Sequence, residues 1–257
     1  MKPAILIIIL ASLLSTPIHA DTVIEFKNQN TKSQFLTDGK MARINTRGTD
    51  DYFLVDFADK TIYSVTAETK QISNLSASVP SLSGIQAPSI SLKLKPLGKG
   101  PDIAGYPTTR YRLAANGEYC GSIYASREAL KGTAVENMFD AIKTMADNHR
   151  QSLGGFAALI PVCQMAQMEL ANRLKEIGAP MRMQDKDGQI DSEITKILKN
   201  AAVEEHYYAF PAKSDRVSMG EKVESGQKQN SPADNNYRNR AETTLMRYYQ
   251  EMTRQWR

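Results

Sequence analysis

Apolar and polar residues alternate with period two through much of the first half of the chain. Phe53, Val55 and Phe57 share one face of a segment that starts at Tyr52. Ile90, Leu92 and Leu94 alternate with Ser91, Lys93 and Lys95, and Thr109, Tyr111 and Leu113 alternate with Arg110 and Arg112. Such alternation predicts strands with one face packed and the other wet. Asp38-Gly39, between residues 34–37 (QFLT) and 40–44 (KMARI), predicts a type I′ hairpin whose two central residues both take positive φ. Ala58-Asp59-Lys60 and Asn116-Gly117 supply further turns. Connections this short imply antiparallel pairing. The pattern predicts about eight strands between residues 22 and 126. A mobile loop rich in serine and proline interrupts them over 76–89 (SASVPSLSGIQAPS).

From Thr133 the period changes to that of a helix. Thr133 and Glu136 fit a capping box. Val135, Met138, Phe139, Ile142, Met145, Ala146, His149 and Leu153 then share a face, and Gly154-Gly155 ends the helix. A second helix opens at Pro161. Cys163, Ala166, Leu170, Leu174 and Ile177 form its buried stripe, and Gly178 and Pro180 close it. Beyond it, residues 181–183 are extended, 185–188 (DKDG) turn, 189–198 return as a strand, and 207–211 (YYAFP) form a short aromatic segment. Strands followed by helices give the α+β class.

Residues 1–20 form an address, not part of the fold. Lys2 precedes an apolar run over 4–14 (AILIIILASLL), Pro17 breaks it, and Ala20 offers a small residue for cleavage. This is the layout of a secretory signal peptide, and it implies export to the periplasm. The run is shorter than the roughly 20 residues of a membrane span, and no later segment suits a span. In an oxidising compartment Cys120 and Cys163 are expected to form a disulfide between a strand and the second helix. A loop of about 44 residues is worth about 4 kcal/mol in the chain-entropy model. A redox dithiol is the competing reading, although the spacing is far from C-x-x-C.

The organisation that follows is a signal peptide over 1–20, a domain over 21–215, a polar linker over 216–231 and a C-terminal helix over 232–257. Ser231 caps that helix and Pro232 takes its first position. Tyr237, Ala241, Leu245, Tyr248, Met252 and Trp256 lie on one narrow stripe. Three readings stand. The helix docks on its own domain, it binds a partner groove or a second copy, or it lies on an anionic membrane surface.

Composition narrows the chemistry. The 257 residues carry a net charge of +4, two cysteines and three histidines. That charge is too small for a nucleic-acid partner, and the cysteine and histidine counts exclude a disulfide-dense miniprotein or a zinc-finger array. There is no nucleophile elbow and no phosphate loop. Residues 185–188 lack the glycine position of a calcium loop and read as a hairpin turn. His149 reads as a core histidine, and His206 beside Glu204 and Glu205 as a solvated patch. The eleven methionines suit a core or an adaptable pocket better than a copper site. No cofactor is implied and no enzyme is nominated.

The order of elements, with residues 39–44 (GKMARI), 52–56 (YFLVD), 178–182 (GAPMR) and 208–211 (YAFP), resembles an uncharacterised family of bacterial periplasmic proteins. That family is similar in fold to the outer-membrane lipoprotein carriers. The resemblance covers roughly residues 22–215. It implies a half-barrel, that is, a curved antiparallel sheet covered by two helices, with apolar space between them for acyl chains. It carries no site residues with it. Met138, Phe139, Ile142 and Met145 are the candidate cleft lining. The leading expectation is a non-enzymatic carrier of a lipid or a lipoprotein acyl chain. The alternative is an envelope interaction or assembly factor acting through the sheet edge and the C-terminal helix.

Overall fold

The computed structural model describes residues 21–29, 31–77, 86–211 and 216–217. Residues 1–20, read as a signal peptide, and residues 232–257, read as a helix carrying Tyr237 to Trp256, lie outside the described residues. The N-terminal half is a meander of β1 (Asp21–Asn28), β2 (Thr31–Thr37), β3 (Met41–Thr46), β4 (Tyr52–Asp56), β5 (Thr61–Thr66) and β6 (Gln71–Asn74). A second meander holds β7 (Leu92–Lys99), β8 (Thr109–Ala115) and β9 (Glu118–Ser126), then β10 (Ala179–Gln184) and β11 (Ile190–Ala201). The helices α1 (Val135–Leu153), α2 (Val162–Leu170) and α3 (Leu174–Ile177) lie between β9 and β10. A two-residue strand, β12 (Arg216–Val217), pairs parallel with β6, within the stretch read as linker.

All twelve strands join one sheet in the order β12-β6-β5-β4-β3-β2-β1-β11-β10-β9-β8-β7. Eleven of them run antiparallel, and the sheet is curved and unclosed, an α+β half-barrel. The two meanders meet where β1 pairs with β11, from Asp21 opposite Ala201 to Asn28 opposite Ser192. At one edge β7 carries Lys93, Lys95, Pro96 and Lys99, side chains that oppose addition of a further strand.

Nine strands fall before residue 127, one more than the alternation implies. β6 has four residues with only Ile72 buried, too short to show a period. The Asp38-Gly39 hairpin is not type I′, because only Gly39 takes positive φ. The loop is longer: Asp38 Oδ1 accepts from the amides of Lys40 (2.8 Å) and Met41 (2.7 Å). The type I′ pair is Asn116-Gly117, both at positive φ between Ala115 and Glu118. The interrupting loop starts later than Ser76. That residue is buried, its hydroxyl accepts from Ile62 N, and its carbonyl accepts from Asn148 of α1 at 2.6 Å.

The main core lies between sheet and helices. It unites Ile24, Phe35, Val55, Leu113 and Ile123 of the sheet with Phe139, Leu170 and Leu174 of the helices. The opposite face of β3–β6 is not wet as the alternation implies. Leu54 and Val65 are fully buried there, and Phe210 packs edge-on against Tyr63 at 5.1 Å. Tyr208 packs on Val23 and Leu36. The aromatic segment after β11 therefore supplies a second, smaller core.

The capping box does not form. Ala134 is the capping position of α1, and the Thr133 hydroxyl instead donates to Leu130 O at 2.8 Å. α1 ends as expected at Gly154, with φ 51°. The second helix is broken: a 3-10 turn, Ala171–Arg173, separates α2 from α3. Arg150 of α1 pairs with Glu169 of α2, and Lys175 of α3 reaches Asp140 of α1 at 2.7 Å. These pairs hold the helices side by side.

Gly121 is required where β9 passes β10. Its φ is +135°, and a Cβ there would lie 2.1 Å from the carbonyl oxygen of Gln184. The strands approach too closely for any side chain. Gly121→Ala is expected to cost more than about 2 kcal/mol. Urea unfolding checks it, and a loss under about 0.5 kcal/mol would mean that the two strands can separate freely.

Candidate functional site

Among the described residues, two adjoining cavities between the helices and the second meander bring the candidate residues together. The first is an apolar cleft of 230 Å³ between α1, α2, α3 and β10. Phe139, Ile142 and Met145 of α1 line it, facing Met168 of α2, Leu174 of α3 and Met183 of β10. These arise from the 3.6-residue spacing of the α1 stripe. Met138, the fourth candidate lining residue, packs partly buried against the main core instead. Met165 and Met181 are core residues, Met183 belongs to the core and also borders the cleft, and Met145 and Met168 line the cleft partly exposed. Thioether chains adapt to occupants of varied shape.

His149 also borders the cleft. It is buried, and its ring is hydrogen-bonded to the backbone of Leu75. Burial holds its pKa below the usual histidine range, despite the opposing effect of that hydrogen bond. The ring is therefore neutral at pH 7 and pins α1 to the end of β6. His206, read as part of a solvated patch, pairs with a neighbour in that patch. A 3-10 turn brings its Nδ1 to 3.1 Å from Glu204 Oε2, although both side chains are exposed.

The second cavity, 450 Å³, adjoins the first, and Gln164, Gln167 and Met183 line both. The Cys120–Cys163 disulfide borders it, joining β9 to α2 with the Cα atoms 5.1 Å apart. Both cysteines are half-buried rather than sealed in the core. The cavity also receives Asp185, Lys186 and Asp187 of the β10–β11 turn, and Asp191 of β11.

Local backbone irregularities aim these side chains. The β8–β9 register shifts between Leu113 and Ala114, which leaves Cys120 as an extra residue on β9. The β10–β11 register shifts between Met183 and Gln184, which leaves Asp191 as an extra residue on β11. Such bulges turn a side chain away from the direction that strict alternation would give it. Asp191 O accepts from Gln29 N at 2.9 Å, which fixes its backbone. It is only 3% exposed, and its Oδ1 has no hydrogen-bond partner among the described residues. Burial first, and the charge of Asp185 second, push its pKa up to about 6. Asp185 is tied to the turn, with Oδ1 accepting from the amides of Asp187 (2.9 Å) and Gln189 (2.8 Å).

Among the described residues no helix is long and apolar enough to cross a membrane, and no group of three metal-binding side chains forms. Of the candidate residues, the structure brings Phe139, Ile142 and Met145 together in one cleft and joins Cys120 to Cys163. The sequence reasoning missed Asp191; it grouped Met168 and Met183 with the methionines suited to a core or pocket, without placing them in this cleft.

No family model matches the chain, and no curated protein matches it. Solved structures with a similar chain path include an uncharacterised conserved protein from Thermus thermophilus, at 10% identity and a TM-score of 0.38, covering 79% of this chain and 92% of that one. PNGF-II is similar at 7% identity and a TM-score of 0.39, covering 78% of this chain and 32% of that one. The complex of Pseudomonas aeruginosa MucA and MucB contains a chain similar at 8% identity and a TM-score of 0.35, with 74% and 54% covered. None of these three is identified as a lipoprotein carrier, the fold that the sequence resemblance implies. Likenesses this loose transfer no function.

Proposed function

We propose that this chain is a non-enzymatic binding protein of the bacterial periplasm, which holds an apolar group, the acyl chain of a lipid or lipoprotein, in the cleft between α1, α2, α3 and β10. The observation that carries this reading is the cleft itself. It is an open, methionine-rich space bounded by Phe139, Ile142, Met145, Met168, Leu174 and Met183. Apolar surface buried there gains about 25 cal/mol per Å², before the cost of ordering the ligand. At 230 Å³ the cleft is smaller than the roughly 300–1,000 Å³ of most small-molecule sites. It takes a segment of an acyl chain, not a whole lipid. The disulfide suits an oxidising compartment, in keeping with the signal-like residues 1–20.

A second reading, binding of a partner protein in the envelope, draws on the turn between α1 and α2. There Phe156 is 50% exposed and Leu159 80% exposed. Two large apolar side chains side by side on a surface turn are a contact for a partner, and an apolar side chain of that partner would fill the small cleft.

Native mass spectrometry of protein purified from periplasm separates these readings. The carrier reading expects a co-purified lipid mass, lost in Ile142→Asn/Met145→Asn while the melting temperature stays within a few degrees. A ligand-free mass, together with failure to bind a twelve-carbon fatty acid, would overturn the carrier reading and leave the partner reading.

A further inference from the structure

The 450 Å³ cavity beside the disulfide has a chemistry that the apolar cleft lacks. Asp191 enters it from a bulge, buried and with Oδ1 unpartnered. A buried carboxylate is ordinarily satisfied by donors or by a cation, because leaving it alone in a low-dielectric site is costly. Asp185 and Asp187 line the same cavity, and Asp185 is held there by its turn, with Oδ1 accepting from two amides. Among the described residues Lys186 is the single cationic side chain in the lining. With Asp191 ionised, the lining carries three negative charges against one positive.

An anion is the competing occupant, since the first turn of α2 contributes Cys163 and Gln164 to the wall. That helix start stands alone, whereas three aspartates oppose an anion. A divalent metal fits poorly, because the described residues contain no group of three metal-binding side chains. A cation that brings its own donors fits better: it satisfies the Asp191 carboxylate directly and needs no fixed coordination shell.

We infer that this cavity is a subsite for a primary ammonium group, held by Asp191 with Asp185 beside it. It rests in part on the proposed cleft reading, because the two cavities share Gln164, Gln167 and Met183 as a common wall. The class of ligand becomes an apolar chain or side chain that carries an ammonium nearby. Two sources supply that chemistry, the ethanolamine headgroup of a lipid and the lysine side chain of a protein segment.

Calorimetric titration of the full chain with octylammonium and with octanol, at pH 7.5 and low salt, tests the subsite. Octylammonium is expected to bind at least tenfold tighter than octanol, and Asp191→Asn is expected to reduce that preference below threefold. Equal affinities in the unaltered protein, or a preference that survives Asp191→Asn, would overturn the subsite and leave the apolar cleft standing. Octylammonium binding without octanol binding would support the subsite and count against the cleft. Binding of neither would overturn both. Displacement of octylammonium by glycerophosphoethanolamine or by a lysine peptide, with the matching acetyl-lysine peptide as control, identifies the source.

Discussion

Reduction of the Cys120–Cys163 bond is expected to lower the melting temperature by roughly 8–16 °C. The bond joins residues 43 apart in sequence. Opening a loop of that length returns about 4 kcal/mol of chain entropy to the unfolded state. A domain of this size moves by roughly 2–4 °C per kcal/mol. The loss falls on one place, because the bond ties the first turn of α2 to β9 at the wall of the 450 Å³ cavity. Cys120→Ser/Cys163→Ser should reproduce the effect of reductant, and reductant should then change nothing further. A melting temperature that ignores both reductant and the double substitution would show that packing alone holds α2 in place.

Asp191→Asn is expected to stabilise the protein above pH 6 and to leave it unchanged or slightly less stable below pH 4. Asp191 has its pKa raised from 3.8 to about 6 by burial and by Asp185, so the folded state holds its proton more tightly than the unfolded state. Stability from this group is therefore full below pH 4, is lost as pH rises towards 6, and is level above that. A shift of about two pKa units corresponds to about 3 kcal/mol. An asparagine amide in the same place needs partners of its own, which reduces the expected gain to about 1–3 kcal/mol. Asp185, Asp187 and Lys186 face the same cavity and are ionisable side chains that a single pH curve does not separate from Asp191. The measurement is therefore the difference between variant and unaltered protein in urea, followed from pH 4 to pH 8. A difference that does not change with pH would show that Asp191 is solvated in solution. A group that lowers stability where it is ionised, at a cavity wall, fits the trade of stability for binding.

Much of this architecture is legible in the residue pattern, for identifiable reasons. Phe53, Val55 and Phe57 could only be one face of a strand, and the α1 stripe from Val135 to Leu153 could only be a helix, because each repeats its period several times. The two cysteines were legible because the expectation of an oxidising compartment leaves each a single partner. Local chemistry was less legible. Asp38 offered its carboxylate to two amides and so built a longer loop than Asp-Gly implies. Thr133 turned to the carbonyl of Leu130 instead of capping α1. In the cleft, the stripe identified Phe139, Ile142 and Met145 but could not separate them from Met138, since periodicity assigns a face and not the neighbour that fills it. Asp191 was hidden for a different reason. Strict alternation after Ile190 gives it no special direction, and only a register shift against β10 turns it inward.

The pairing of β1 with β11 also sets an order of assembly. Thr22 lies opposite Lys199 and Asn28 opposite Ser192, so the first strand finds its second neighbour only after nearly the whole domain has been synthesised. Until then the first meander presents β1 as a bare edge, with its amides and carbonyls open to any passing strand. Contacts so distant in sequence are slow to form. The half-made sheet, rather than the finished one, is the species most exposed to aggregation, and a chaperone that shields an extended edge would act on it.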